Sequence, residues 1–259
     1  MNRAPSTASA IKEAKVPAIT LGFWIIKILA TTFGETAGDT VSMSMGLGYL
    51  VGTAIFAVLL VGFIAWQIRA NRFHPALYWA TIIASTTAGT TMSDFSTRSL
   101  GLGYPGGATL LLSLVLMSLL VWRLVMGTVS VSSVRSARVE IFYWITITFS
   151  QTLGTALGDW VADGGMGYLG AAVIFGSALV LVAALWFFTK TSKVALFWAA
   201  FILTRPLGAV VGDFLDKPIS HGGLDLSRAA ASAVLAVAIV ALVWLLPQRP
   251  ASSDDALAH

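Results

Sequence analysis

Six residues of this chain occur four times in variant form. Gly34-Glu35-Thr36-Ala37-Gly38-Asp39 is followed by Gly89-Thr90-Thr91-Met92-Ser93-Asp94, Gly154-Thr155-Ala156-Leu157-Gly158-Asp159 and Gly208-Ala209-Val210-Val211-Gly212-Asp213. The common form is Gly, three residues, a small residue, then Asp. A tryptophan stands fifteen residues before each aspartate: Trp24, Trp79, Trp144 and Trp198. The tryptophans are 55, 65 and 54 residues apart. Repetition at such a period means one supersecondary unit used several times. The added length in the middle, residues 127–138, divides the chain into two halves of two repeats each.

The unit has to be helical and apolar. The chain is 57% hydrophobic and 11% charged, whereas soluble domains carry about 25% charged residues. Eight apolar segments can be drawn, at 17–39, 46–68, 75–94, 101–125, 139–161, 166–189, 194–215 and 223–246. Each approaches the ~20 residues that a helix needs to cross the hydrocarbon of a bilayer. The alternating pattern of a membrane barrel is absent. The expected fold is an all-α membrane protein, with eight transmembrane helices arranged as four parallel two-helix hairpins. The expected divisions are an N-terminal tail 1–16, repeats 1 and 2 over 17–126, a linker 127–138, repeats 3 and 4 over 139–246, and a C-terminal tail 247–259.

Charge is unevenly placed along this topology. Arg3, Lys12, Lys15, Arg69, Arg72, Arg123, Arg135, Arg138, Lys190, Lys193 and Arg249 fall on one side, and only Arg98, Lys217 and Arg228 on the other. The positive-inside bias puts the first side, with both termini, in the cytoplasm, as expected of a bacterial inner (plasma) membrane protein. Glu13, Glu140, Asp254 and Asp255 lie on that side. The other eight acids, Glu35, Asp39, Asp94, Asp159, Asp163, Asp213, Asp216 and Asp225, lie in or just after a repeat motif. The formal charge of +4 reflects loop basic residues, so nucleic acid is not an expected partner; the partners are the bilayer, a small cation and, for such a bundle, a further copy of the chain. With no cysteine, disulfides and thiolate metal sites are excluded.

The motif joins a packing surface to an acid. Small residues four apart let helix backbones approach in lipid, and the aspartate projects beside that stripe. Residues three and four before the Asp share its face: Thr36 and Glu35, Thr91 and Thr90, Ala156 and Thr155, Val210 and Ala209. Two roles stay open. The aspartates cap and close turns while the glycines pack helices, or they form an acidic site. Departures from symmetry favour the second. Glu35 occurs in repeat 1 alone, Lys27 has the apolar Ile82, Ile147 and Phe201 as its counterparts, and Arg205 stands where Thr31, Thr86 and Gln151 stand elsewhere. Ionisable residues within a membrane segment are functional candidates, and Lys27 and Arg205 are expected to tune the charge of the acids. Carboxylates and hydroxyls suit hard cations, so Asp39, Asp94, Asp159, Asp213 and Glu35 are expected to hold Mn²⁺, Mg²⁺ or Ca²⁺, assisted by Thr36, Thr90 and Thr155. No His or Cys pair lies in the helices for Zn²⁺.

The four Gly-x-x-x-small-Asp motifs with Trp24, Trp79, Trp144 and Trp198 resemble a bacterial membrane-protein family defined by a short repeat of unknown function. The likeness implies topology and no substrate. A second likeness is to Gly-Asp exchangers for Ca²⁺ and Mn²⁺, through Glu35 and Gly38-Asp39-Thr40, with one residue more between Glu and Gly and no basic residue after the Asp. The Gly-x-Gly-Asp of intramembrane aspartyl proteases is not matched, because Thr36, Thr91, Ala156 and Val210 stand where it needs glycine; no enzyme is expected. The expected function is a transporter or channel for a cation, most of all a hard divalent ion. The alternatives are a proton-coupled transporter of a small organic cation and a membrane sensor or scaffold.

Overall fold

The computed structural model describes residues 14–252. Eight long helices follow one another: α1 (Leu21–Asp39), α2 (Gly48–Arg69), α3 (Pro75–Asp94), α4 (Gly103–Met126), α5 (Ala137–Val161), α6 (Gly167–Phe188), α7 (Lys193–Asp216) and α8 (Arg228–Leu245). They match the eight apolar segments, and the two late starts have a local cause. Thr20 accepts a hydrogen bond from Phe23 N and Ser227 from Ala230 N, so each helix begins at a capping hydroxyl. Among the described residues there is no strand, only an antiparallel bridge between Pro17 and Pro250.

The odd-numbered helices close a ring. α1 packs on α3, α3 on α5, α5 on α7, and α7 returns to α1. The glycines of the repeated motif make this possible. A Cβ on Gly34 would collide with Thr86, one on Gly89 with the backbone of Gln151, one on Gly154 with Arg205, and one on Gly208 with Thr31. Each glycine therefore opens a groove on its helix, and the next helix in the ring lays a side chain into it.

The even-numbered helices form an outer layer shifted by one repeat. α2 packs on α3, α4 on α5, α6 on α7, and α8 on α1. This corrects the expectation of four two-helix hairpins, since no outer helix packs chiefly on the inner helix that precedes it. The turn is the physical reason. After Asp39, Asp94 and Val161 the chain runs through one π-helical turn, at Thr40–Ser44, Phe95–Ser99 and Ala162–Met166. Two left-handed glycines follow or close it: Gly46 and Gly48, Gly101 and Gly103, Gly165 and Gly167. A wide turn and two positive φ angles, which glycine adopts without a Cβ penalty, carry the chain sideways onto the neighbouring repeat.

The ring is locked where the chain ends meet. Ala18 N donates to Arg249 O at 2.8 Å and Ala251 N to Val16 O at 2.9 Å. Lys15 is buried beneath the bundle, ion-paired with Glu140 at 2.6 Å and donating to Gln67 O and Ile68 O. Residues 14–16 and 249–251 are thus part of the body and not of free tails. The linker is also packed: Val131 and Val134 are buried, and Trp198 Nε1 donates to Val129 O. Arg3, Lys12, Glu13, Asp254, Asp255 and His259 lie outside the described residues.

Five helical stretches are long and apolar enough to cross a membrane: α2, α4, the continuous α5–α6 stretch, α7 and α8. Several such helices suggest a membrane protein, and the exposed faces agree. Val58, Leu124, Phe187, Phe188, Val240 and Trp244 are all outward and exposed, more apolar surface than a soluble monomer shows. α1 and α3 are less apolar because they carry threonines, and those threonines are buried within the bundle. Gly208→Ala should place its methyl on Thr31 and destabilise the fold by about 1–3 kcal/mol. Gly176→Ala, where a Cβ meets nothing within 4 Å, should be neutral or mildly stabilising. Thermal unfolding of both variants in detergent checks this.

Candidate functional site

Four residues make one turn of helix plus a small offset, so side chains four apart stack along one face. Counting back from each aspartate in fours gives five rungs inside the ring. They are Asp39, Asp94, Asp159 and Asp213; then Glu35, Thr90, Thr155 and Ala209; then Thr31, Thr86, Gln151 and Arg205; then Lys27, Ile82, Ile147 and Phe201; and last Phe23, Tyr78, Tyr143 and Phe197. All twenty side chains are buried, none exposing more than 3%. The motif glycines support these rungs. Gly34 and Gly38 receive Thr86 and Thr90 of the next helix, Gly158 receives Ala209, and Gly212 receives Glu35.

The aspartate rung is neutralised in pairs by two cations. Arg98 Nε lies 3.1 Å from Asp94 Oδ1 and its Nη2 3.0 Å from Asp159 Oδ2. Lys217 Nζ lies 3.0 Å from Asp213 Oδ1 and 2.5 Å from Asp39 Oδ2. Each cation keeps the acid four residues before it and reaches one on the next repeat. Those two reaches cross the two seams between the halves of the chain, repeat 2 to 3 and repeat 4 to 1. Burial alone would lower the Lys217 pKa, but the carboxylates of Asp213 and Asp39 outweigh it and hold the ammonium above the ordinary lysine value. Arg228 adds contacts to Asp216 at 3.4 Å and Asp39 at 3.9 Å.

Beneath lies a buried ion pair that joins all four repeats. Arg205 Nη2 is 3.0 Å from Glu35 Oε2, and it donates to Thr90 Oγ1 at 2.7 Å and Thr155 Oγ1 at 2.5 Å. The two hydroxyls also face Glu35 Oε2 at 3.3 and 3.4 Å. A shared set of hydroxyls around an ion pair satisfies more of its hydrogen-bonding capacity than the pair alone could. One oxygen each of Glu35, Asp159 and Asp213 lie within 4.8 Å of one another, and so do one each of Asp39, Asp213 and Asp216.

Lys27 is placed differently from the expectation. It contacts no acid among the described residues; its Nζ sits 3.7 Å over the Phe201 ring and has no hydrogen-bond partner. α1 sets it two turns below Glu35, and Arg205 occupies the space between. Below it the axis ends in aromatics that repeat around the ring: Phe23 against Trp79 at 5.5 Å, Tyr78 against Trp144 at 5.8 Å, Tyr143 against Trp198 at 6.4 Å and Phe197 against Trp24 at 5.8 Å. The Tyr78 and Tyr143 hydroxyls meet at 2.6 Å. The four tryptophans of the sequence repeat thus pack around the Phe and Tyr rings that floor the column.

Above the aspartates the molecule is open. A cavity of about 500 Å³ is lined by Tyr49, Arg98, Tyr104, Asp159, Asp163, Tyr168, Asp213, Lys217 and Arg228, among others. Its tyrosines each follow the second left-handed glycine of a turn, Tyr49 after Gly48, Tyr104 after Gly103 and Tyr168 after Gly167. Asp39, Asp94, Asp159, Asp213, Glu35, Thr90, Thr155 and Arg205 are thus brought together on adjoining rungs. Thr36 is not: its hydroxyl faces α8, donating to Phe33 O and accepting from Ser232 Oγ at 2.8 Å. One residue after the rung position of Glu35, it is turned about 100° from it, more than a quarter of a turn. Arg98 and Lys217 went unrecognised in the sequence, where they read as loop charges. Their signal was present: a base four residues after Asp94 and Asp213, the spacing of a helical ion pair, where repeats 1 and 3 have Met43 and Asp163.

The family described as Repeat of Unknown Function (DUF347) matches residues 22–73, 77–128, 142–192 and 196–249. No curated protein and no solved structure matches the chain.

Arg205→Met leaves Glu35 buried without its counter-charge and should destabilise the protein by about 3–5 kcal/mol. The double variant with Glu35→Leu should recover most of that loss. A double-mutant cycle by thermal unfolding in detergent measures both.

Proposed function

The chain belongs to the Repeat of Unknown Function family, and from this premise we propose that it is a membrane transporter for a cation, with a hard divalent ion as cargo. In this reading all eight helices cross a bacterial plasma membrane. The end carrying Lys15, Arg69 and Arg72 is cytoplasmic by the positive-inside bias, and the tyrosine-lined cavity faces outward.

The observation that carries the reading is the convergence of Glu35, Asp159 and Asp213, the last two of which line the open cavity. Two carboxylates at such a separation repel by about 3 kcal/mol at an effective dielectric constant near 20. A cation between them turns that repulsion into binding. Charge balance supports the valence. The outer group holds six buried carboxylates (Glu35, Asp39, Asp94, Asp159, Asp213, Asp216) and the four bases paired with them (Arg98, Arg205, Lys217, Arg228). Six less four leaves two negative charges, which one divalent ion neutralises. Oxygen donors alone suit Mg²⁺, Mn²⁺ or Ca²⁺.

Arg98 and Lys217 act as tethered counter-ions in this mechanism. When a cargo cation arrives at Asp159 or Asp213, each base retains its own helical partner and gives up the carboxylate across the seam. The aromatic floor, closed on all sides, keeps the cargo from passing straight through while the outer cavity is open. A small organic cation is the second reading, favoured by Tyr49, Tyr104 and Tyr168 around the cavity, whose ring faces attract cations.

The test is flux into proteoliposomes with Mg²⁺, Mn²⁺, Ca²⁺ and a tetraalkylammonium ion. Wild type should carry at least one of the divalent ions. Asp159→Asn with Asp213→Asn should reduce that flux by about tenfold or more, equivalent to losing ~1.4 kcal/mol of binding. Lys217→Met should lower KM, because it removes a competitor for Asp39 and Asp213. Transport of the organic ion alone selects the second reading. Wild-type flux in the double Asn variant, or no cation flux at all, refutes the proposal.

A further inference from the structure

The outer half of the axis is acidic, but two rungs lower the balance reverses. Lys27 is fully buried and its Nζ has no hydrogen-bond partner among the described residues. On the adjacent rung Arg205 spends one nitrogen, Nη2, on Glu35 and the two threonines, while its Nε and Nη1 are buried and unpartnered. Thr86 Oγ1 and the amide of Gln151, the neighbours of Arg205 on that rung, are buried and unpartnered as well. Thr86 is held beside Arg205, since its carbonyl lies 3.5 Å from Nη2. Arg205 follows Phe201 by one turn of α7, and Phe201 lies under Lys27. The donors therefore occupy one stretch of the ring interior.

Leaving buried donors unmatched is expensive, and native interiors seldom do it. An ionisable group at membrane depth is normally paired. Here the carboxylate of that region, Glu35, is committed to Arg205, so no acid is left to balance a protonated Lys27. What the region offers a ligand is two cationic groups, a hydroxyl and an amide, a set in which the donors outnumber the one orphaned carbonyl, Gln151 Oε1. Lys27, Arg205, Thr86 and Gln151 are all 0% exposed, so only a ligand of monatomic size can lie among them.

We propose that the ring interior between Lys27 and Arg205 binds a small monatomic anion, a halide, with Thr86 and Gln151 as additional donors. This anion balances Lys27 as a divalent cargo balances the outer carboxylates, so the column holds opposite charges at two depths. The assignment stands independently of cation transport, because it concerns a different set of side chains and is read without any flux.

The experiment is thermal unfolding of the purified full chain in detergent, with sodium chloride or sodium bromide replaced by sodium gluconate at constant ionic strength. Wild type should show a saturable upward shift in Tm with either halide. The shift should be lost in Lys27→Met, kept in Lys27→Arg and reduced in Gln151→Leu. In wild-type crystals grown in bromide, anomalous scattering should place bromide on the axis between Lys27 and Arg205. A Tm indifferent to halide in wild type overturns the proposal, as does a halide shift that persists unchanged in Lys27→Met. Bromide found only at the protein surface overturns it too, and this readout does not depend on any variant folding.

Discussion

Close approach of the inner helices is the constraint from which the rest follows. A ring of four helices has an interior only if each helix can lie against two neighbours while still pointing side chains inward. Glycine at one position per turn supplies the groove, and the inward residue of the next helix fills it: Gly34 with Thr86, Gly154 with Arg205, Gly208 with Thr31, Gly212 with Glu35. Packing and site are thus the same contacts. A larger residue in the groove would displace the rung that the neighbouring helix presents. The glycines of the motif therefore also position the acid and hydroxyl side chains of the following repeat.

Symmetry operates at two levels. The backbone follows a fourfold plan, with each outer helix seated on the next inner one and α8 closing onto α1. The charges follow a twofold plan, because only repeats 2 and 4 carry a base four residues after the aspartate. One cation therefore spans each seam between the halves. A third level has no symmetry at all: Glu35, Lys27, Arg205 and Gln151 each occur once. A duplicated scaffold supplies twenty equivalent inward positions, and a few unique residues among them set the electrostatics of the axis.

The number and limits of the helices, and the identity of most inward residues, were legible in the chain. Hydropathy and capping chemistry act locally, so the eight segments agree with the eight helices, and Thr20 and Ser227 account for the later starts of α1 and α8. Glu35, Thr90, Thr155 and Arg205 could be chosen because a helical period places them on the face of the aspartate. The same reasoning admitted Thr36, which lies at the edge of that face and turns to Ser232 of α8. Arg98 and Lys217 were misjudged because charge counting treats a base after a helix as solvated, whereas both curl back onto the rung above which they stand.

By itself the sequence determined the helical unit, its fourfold use, its membrane character and the residues available at each turn, since all of these depend on spacing along one chain. The tertiary structure decided which helix each turn delivers its chain to, which base reaches which aspartate, and that Lys27 meets Phe201 instead of an acid. Those outcomes depend on helices distant in sequence. Two positive φ angles at the Gly turns and the depth of a glycine groove fix them, and neither quantity is expressed in hydropathy or in the spacing of charges.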